Sequence, residues 1–183
     1  MAGLQALDGF LSARWRHRVA AHVLLRRRDG AVLLIRTPDG WSLPGGAVRA
    51  DESPRETVGA GLRRLALEAT VGRLLAQDFR RADGGGSENL LYDGGSWATD
   101  ADGFTADGGT LTARFMGPDG LGEWLGSDQA ALAAAGLSAL ELGSVAELED
   151  GREATPASAP GNIVPPRALM PSLPETSPVL SAR

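Results

Sequence analysis

The sequence lacks cysteine entirely, and it lacks lysine, so all 18 of its basic residues are arginine. Without cysteine, disulfides, thiolate zinc sites and a cysteine nucleophile are excluded. No apolar run approaches the ~20 residues that a membrane-spanning helix needs. The first residues also lack the basic start and apolar middle of a signal peptide. We therefore expect a soluble, cytoplasmic protein that does not bind a membrane.

Acidic residues outnumber basic residues. The chain carries 23 acidic against 18 basic residues, which leaves a net charge of −5. Non-specific nucleic-acid binding depends on a basic surface that displaces counterions from phosphates. The composition therefore predicts a small-molecule ligand or substrate as the partner, and no nucleic acid.

Length and composition divide the chain into three parts. At 183 residues and 43% hydrophobic content, it can bury one ordinary core. Residues 1–16 are predicted to form an N-terminal arm or short helix, and residues 17–150 to form the domain. Residues 151–183 are rich in Pro, Ser and Ala and are predicted to be a tail without a core of its own.

Strand and helix signals alternate along the domain. Residues 19–25 and 31–36 are apolar runs joined by Asp29-Gly30, a pattern typical of a β-hairpin. Residues 41–46 contain a proline and two glycines and are predicted to be irregular. Ser53 and Glu56 match a capping box at the start of a helix over 53–68. Further strands are predicted at 71–79, 88–92 and 110–116, and further helices at 128–141 and 144–150.

One motif resembles a known family. The run Trp41-Ser42-Leu43-Pro44-Gly45-Gly46 is followed by Glu52, six residues after Gly46. With the exit segment 67–75, it resembles the two ends of the box of the Nudix hydrolase superfamily, and the resemblance covers roughly residues 17–150. It implies an α+β Nudix fold, with a mixed β-sheet sandwiched between helices. It also implies a possible homodimer.

The middle of the box departs from the family. Nudix hydrolases continue with an Arg-Glu pair and a Glu-Glu pair, whose carboxylates bind Mg²⁺ or Mn²⁺ at the pyrophosphate. Without a gap, Ala60-Gly61 and Arg64-Leu65 stand at these positions. With a one-residue deletion, Arg63-Arg64 replace the Glu-Glu pair. Both registers remove the acids, so we predict a degenerate box with no metal site and no cofactor.

The surviving acids are the first candidate site residues. Glu52 remains from the motif, and Glu56 lies one helical turn beyond it, so both are candidate catalytic residues. Glu56 is also the expected capping-box partner. Asp51, Glu88 and Glu123 could approach the same cleft, and Glu123 is the one we include as a ligand-binding residue. For Glu88 and Glu123 the alternative is a solvated surface position.

His22 is the first candidate for metal-free acid–base chemistry, because imidazole titrates near neutral pH. Regular alternation places it on the opposite face of the first strand from Val19, Ala21 and Val23. A histidine in the core or on the sheet surface is the alternative. His17, which lies among arginines, is expected to face solvent.

The remaining candidates would contact a ligand. Trp41 could stack on a ring-shaped ligand beside Gly45 and Gly46, or pack under the loop. Arg63 and Arg64 could bind an anionic ligand, or point to solvent on a helix that has lost its function.

Three functions remain open. The first is a repurposed, metal-independent enzyme that acts on a small organic substrate, in a specialised biosynthetic pathway for example. The second is a non-catalytic module that binds a nucleotide-like ligand or has a regulatory role. The third is a residual hydrolase of nucleoside diphosphate derivatives with displaced acids. Fold alone does not choose among them, because one fold hosts many chemistries.

Overall fold

The computed structural model describes residues 18–82 and 85–154. The predicted N-terminal arm, His17 and the tail beyond residue 154 lie outside the described residues. Within them, no helix is both long enough and apolar enough to cross a membrane.

In the described residues, ten strands form one mixed sheet, in the order β10-β9-β5-β6-β1-β2-β8-β7, with β3 paired to β2 and β4 paired to β1. The pairs β1–β6 and β5–β9 are parallel, and the other pairs are antiparallel. The strands are β1 (Arg18–Arg27), β2 (Val32–Thr37), β3 (Gly40–Ser42), β4 (Gly45–Ala47), β5 (Leu74–Ala82), β6 (Gly85–Trp97), β7 (Gly103–Ala106), β8 (Leu111–Met116), β9 (Ala146–Glu149) and β10 (Arg152–Glu153). The helices are α1 (Pro54–Arg64), α2 (Leu121–Trp124) and α3 (Ser127–Leu142).

The predicted first hairpin is confirmed by the antiparallel pair β1–β2. Its turn is fixed by Asp29, whose Oδ1 accepts a hydrogen bond from the backbone N–H of Ala31 at 3.2 Å. The Arg27 guanidinium contacts both carboxylate oxygens of Asp29, and these bonds lower the pKa of Asp29 to about 2.

Helix α1 begins as predicted and ends earlier. Ser53 is the N-cap, and the Ser53–Glu56 capping box is complete. The predicted end at residue 68 is wrong, because the chain leaves the helix after Arg64. The N–H of Ala66 bonds to the carbonyl of Arg63, and the N–H of Leu67 bonds to that of Leu62. With Ala66 left-handed at φ 54°, this is a Schellman motif.

The prediction that residues 41–46 are irregular is wrong in part. Gly40–Ser42 pairs with β2, and Gly45–Ala47 pairs with β1. Only Leu43 and Pro44 lie between these two short strands. The glycines do not interrupt the ladder, because Gly45 and Gly46 lie opposite His22 and Ala21 in an extended pair.

The predicted helix at 144–150 is also wrong. Helix α3 ends at Gly143, which has φ 68°, and the chain then forms β9 beside β5. Asp150 and Gly151 have φ 53° and 76° and connect β9 to β10. Positive φ at both central residues is the geometry that Asp-Gly favours in a two-residue hairpin turn. Residues 152–153 therefore pair with β9 as part of the sheet.

The core has a layer on each side of the sheet, because alternate residues of β1 face opposite sides. Ala21 and Val23 pack with Val58 and Leu62 of α1. Leu24 packs on the other side with Leu132 of α3. The mixed sheet thus lies between helices, which confirms the predicted α+β fold.

Candidate ligand-binding site

The Gly45-Gly46 strand lies directly against the centre of the sheet. A Cβ added to Gly45 would lie 2.1 Å from the carbonyl oxygen of Ala21 and 2.7 Å from the Cα of His22. The same addition at Gly46 would meet no atom within 4 Å. Gly45 is therefore required for the close approach of β4 to β1. This approach determines how closely the loop packs against the sheet.

A groove of about 450 Å³ opens beside this loop. Its first wall is the β2–β3 hairpin and the loop glycines, and its second wall is the segment that enters α3. The residues that line it are Ile35, Thr37, Asp39, Trp41, Ser42, Gly45, Gly46, Gly126, Ser127, Asp128 and Gln129. The structure thus brings together three of the predicted ligand-binding residues, namely Trp41, Gly45 and Gly46.

The side-chain amide of Gln129 joins the two walls. Its Oε1 accepts a hydrogen bond from the backbone N–H of Leu43 at 2.8 Å. Its Nε2 donates to the Ser42 hydroxyl at 3.0 Å. Both groups of the amide are therefore used, and the start of α3 is held against the strand that leads into the loop.

Trp41 is half-buried at one end of the groove. Its indole meets the ring of Trp124 edge-on, with centroids 6.1 Å apart and an interplanar angle of 88°. The Arg36 guanidinium lies 5.6 Å from the Trp41 centroid, within range of a cation–π contact. Trp41 therefore packs against the core layer under α3 and also presents part of its ring to the groove.

His22 lies beneath the loop and does not line the groove. It is 6% exposed, and its Nδ1 is 3.4 Å from the carbonyl oxygen of Leu43, to which it can donate. Burial lowers the pKa of His22, and the Leu43 carbonyl opposes that shift only in part. The imidazole is therefore neutral at pH 7.

The two predicted catalytic acids lie at the start of α1. Glu52 Oε2 accepts a hydrogen bond from the Thr57 hydroxyl at 3.1 Å, and its Oε1 is 3.7 Å from the Arg49 guanidinium. Glu56 accepts from the backbone N–H of Ser53 at 2.7 Å, which lowers the pKa of Glu56. Both carboxylates thus have local structural partners, and their catalytic role stays a prediction.

The predicted arginines lie at the far end of α1, roughly 10 Å from Glu56 along the helix axis. Both are exposed, and Arg64 is 3.5 Å from the carboxylate of Asp107. At 100° per residue, Arg64 shares a face with Gly61, whereas Arg63 lies on the opposite face. Gly61 approaches the loop, since a Cβ there would lie 3.4 Å from the backbone nitrogen of Gly45.

The remaining predicted acids lie on three different parts of the chain. Glu123 is exposed on α2, Glu88 is half-buried on β6, and Asp51 is exposed before α1. Across residues 18–82 and 85–154, no group of three or more His, Asp or Glu side chains is placed to hold a metal ion. The face of α1 near the loop carries Gly61 and Arg64, so these residues do not fit the carboxylate-held metal of Nudix hydrolases.

The second wall of the groove is not among the predicted site residues. Ser127, Asp128 and Gln129 are about 85 positions from the loop along the chain, and Leu43 and Gln129 are separated by 86. No local motif marks them, because their role depends on how α3 packs across the sheet. The one available signal is that they open a helix, where backbone N–H groups are free to bind.

Comparisons with known proteins agree with this architecture. The model of the NUDIX domain matches residues 16–87. The MutT protein of Methanosarcina mazei Go1 has a similar structure, with a TM-score of 0.54 and 18% identity, over 71% of this chain and 97% of that one. The E. coli ORF135 protein gives a TM-score of 0.55 and 23% identity, over 68% and 91%. No curated protein sequence matches the chain.

A third similar structure contains a ligand. It is the NUDIX domain of Shewanella oneidensis NrtR complexed with ADP ribose, with a TM-score of 0.52 and 20% identity, over 69% of this chain and 88% of that one. At these identities the likeness establishes the fold. A mixed sheet between helices, with a Leu-Pro-Gly-Gly loop that leads into a capped helix, defines the class of protein. Residues 16–87 match the NUDIX domain, and the described part of the chain has the Nudix fold.

Proposed function

We propose that this chain binds a small organic ligand in the groove between the Gly45-Gly46 loop and the start of α3, and does not hydrolyse pyrophosphates through carboxylate-held metal. One observation carries the proposal. The groove beside the loop is intact, whereas the neighbouring face of α1 carries Gly61 and Arg64 in place of acids. A volume of about 450 Å³ falls within the range of small-molecule sites.

A non-catalytic binding module is the form that the geometry supports best. The groove is lined by an indole, three hydroxyl side chains and an amide, with Asp39 and Asp128 as its titratable groups. The amide of Gln129 is already engaged on both sides. The Shewanella oneidensis NUDIX domain, which was solved with ADP ribose, gives a precedent for ligand binding on this fold.

A metal-independent enzyme acting on a small organic substrate, for example in specialised biosynthesis, is the second candidate. It is favoured by the neutral imidazole of His22 directly opposite Gly45. Such a group could act as a general base only if a substrate or the loop brought a proton within hydrogen-bond reach. The residual hydrolase is a third candidate, and it would require Glu52 and distant acids to converge.

Two measurements test the proposal. We expect no hydrolysis of ADP-ribose or other nucleoside diphosphate derivatives in millimolar Mg²⁺ or Mn²⁺, and robust turnover would contradict the proposal. We also expect quinoline, as a planar probe, to change the tryptophan fluorescence. The Trp41→Phe and Gln129→Ala variants should lose that response. Trp97→Phe is the matched control, because Trp97 packs against Phe104 and Phe115 away from the groove.

A further inference from the structure

The charged side chains that line the groove are negative. Its two titratable lining residues, Asp39 and Asp128, are both acidic, and both are exposed. None of the lining residues is an arginine. A phosphate ligand is normally met by arginine or lysine, which supply charge and hydrogen-bond donors. The lining therefore lacks the side chains that a nucleotide phosphate would need.

The charge on Asp128 is only partly compensated. Arg80 Nη1 lies 2.9 Å from Asp128 Oδ1, and the same nitrogen lies 3.1 Å from Asp78 Oδ2. The Asp78 side chain is 1% exposed. One guanidinium thus serves two carboxylates, and these three side chains keep a net charge of −1. Because Asp78 is buried and Asp128 is exposed, the excess negative charge is accessible at Asp128.

The start of α3 also carries an acidic side chain. The N-terminus of a helix attracts negative charge through its unpaired N–H groups. Here the first turn contains Asp128, and Ser127 donates its hydroxyl hydrogen bond to Asp128 Oδ1 at 3.0 Å. Asp128 therefore already places a negative charge at the end of the helix that would attract an anion.

From these contacts we infer that the groove selects a cationic aromatic molecule over neutral or anionic ones. This inference rests on the proposed function and adds the chemical class of the ligand. The ring of the ligand packs against Trp41, and its positive charge faces Asp39 and Asp128. Arg36 works against this preference, because its guanidinium lies 5.6 Å from the Trp41 ring. Its single charge is smaller than that of the two carboxylates together.

Three probes that share the quinoline ring test the inference by calorimetry: N-methylquinolinium, quinoline and quinoline-4-carboxylate. Two opposite charges near a protein surface attract enough to change affinity by about tenfold or more. We therefore expect the cation to bind about tenfold more tightly than quinoline, and the anion to bind most weakly. The preference for the cation should decrease in 1 M salt, because the Debye length is then about 3 Å and charges farther apart are screened.

Four variants locate the effect. Asp39→Asn and Asp128→Asn should each reduce the preference for the cation, whereas Arg36→Gln should increase it. Glu141→Gln, an exposed position near the other end of α3, is the control for loss of one charge and should change nothing. Equal binding of cation and quinoline, or tighter binding of the anion, would overturn the inference and leave the proposed function standing. If none of the three probes binds, the proposed function and the inference fail together.

Discussion

Gln129 and Leu43, 86 positions apart in the chain, are joined by a hydrogen bond of 2.8 Å from the Leu43 N–H to the Gln129 side chain. Leu43 precedes Pro44 and the loop glycines, and Gln129 lies in the first turn of α3. The bond therefore connects the Leu-Pro-Gly-Gly loop to the helix that forms the other wall of the groove. The Gln129 amide therefore joins the two walls of the candidate site.

Replacement of Gln129 by alanine should destabilise the fold by about 1–3 kcal/mol, because the partly buried N–H of Leu43 loses its acceptor. Chemical denaturation measures this loss. Gln77→Ala is the matched control, since the Gln77 amide reaches only the exposed Glu147, at 3.4 Å. Equal losses in the two variants would mean that the bond between α3 and the loop contributes nothing specific.

Gly45 and Gly46 have φ values of 141° and 158°, so alanine strains the backbone at both positions, and Gly45→Ala should destabilise the fold more than Gly46→Ala. The added methyl group at Gly45 would lie 2.1 Å from the Ala21 carbonyl oxygen, whereas at Gly46 it would meet nothing within 4 Å. Overpacking of this kind typically costs 1–3 kcal/mol, and a backbone clash gives the upper part of that range or more. Thermal unfolding of both variants checks the prediction. Similar melting temperatures would show that β4 does not press against β1.

The sequence predicts the parts of this fold whose signals are local. Asp29-Gly30 and the Ser53–Glu56 box determine their own turn and cap within a few residues, and both are found in the structure. Asp150-Gly151 carries the same hairpin signal, but its flanking strands are short and charged, so their apolar alternation is weak. The chain therefore forms a hairpin at a position where the sequence pattern favours a helix.

Non-local features could not be predicted in the same way. The groove exists because α3 packs across the sheet and brings Gln129 to the loop. The position of His22 was predictable only as a choice of face, since its burial depends on how closely Gly45 approaches. Arg63 and Arg64 are both predicted to bind a ligand, but helical spacing places them on different sides of α1, so they do not face the same ligand.

The end of α1 was also hard to predict, because alanine stands where glycine normally marks a helix end. Ala66 has φ 54°, and a left-handed conformation costs a residue with a Cβ roughly 1–2 kcal/mol. We expect Ala66→Gly to stabilise the fold by about 1 kcal/mol in chemical denaturation. Ala60→Gly, inside the same helix, should instead destabilise it by up to about 1 kcal/mol. The same sign in both variants would contradict the Schellman assignment.

His22 should make stability depend on pH. Burial lowers its pKa below the 6.5 of an unfolded histidine, so between these two values the unfolded chain binds the extra proton. The contribution of His22 to the free energy of unfolding is then fully present above pH 6.5. It falls as the pH drops below 6.5, by at most about 1.4 kcal/mol per pH unit. Urea denaturation between pH 5 and 7.5 measures the slope.

The other histidine of the chain provides the control for this slope. His22→Gln should flatten the pH dependence in this window, whereas His17→Gln should leave it unchanged. Glu56 and Asp29, whose pKa values are lowered by their hydrogen bonds, affect the pH dependence of stability only in more acidic solution. A slope that persists in His22→Gln would mean that the imidazole is not held neutral.

Acids restored to the correct face of α1 should recover divalent-metal binding. Gly61 and Arg64 lie three residues apart on the face that approaches Gly45, and a Cβ at residue 61 makes an ordinary contact with the loop at 3.4 Å. The double variant Gly61→Glu/Arg64→Glu should therefore bind Mn²⁺ at least about tenfold more tightly than the original chain in calorimetry. The control is Gly59→Glu/Arg63→Glu, which makes the same change of charge on the opposite face and should gain little. If the control binds Mn²⁺ as tightly as the first variant, net charge explains the gain, and the face of α1 toward the loop has no special role.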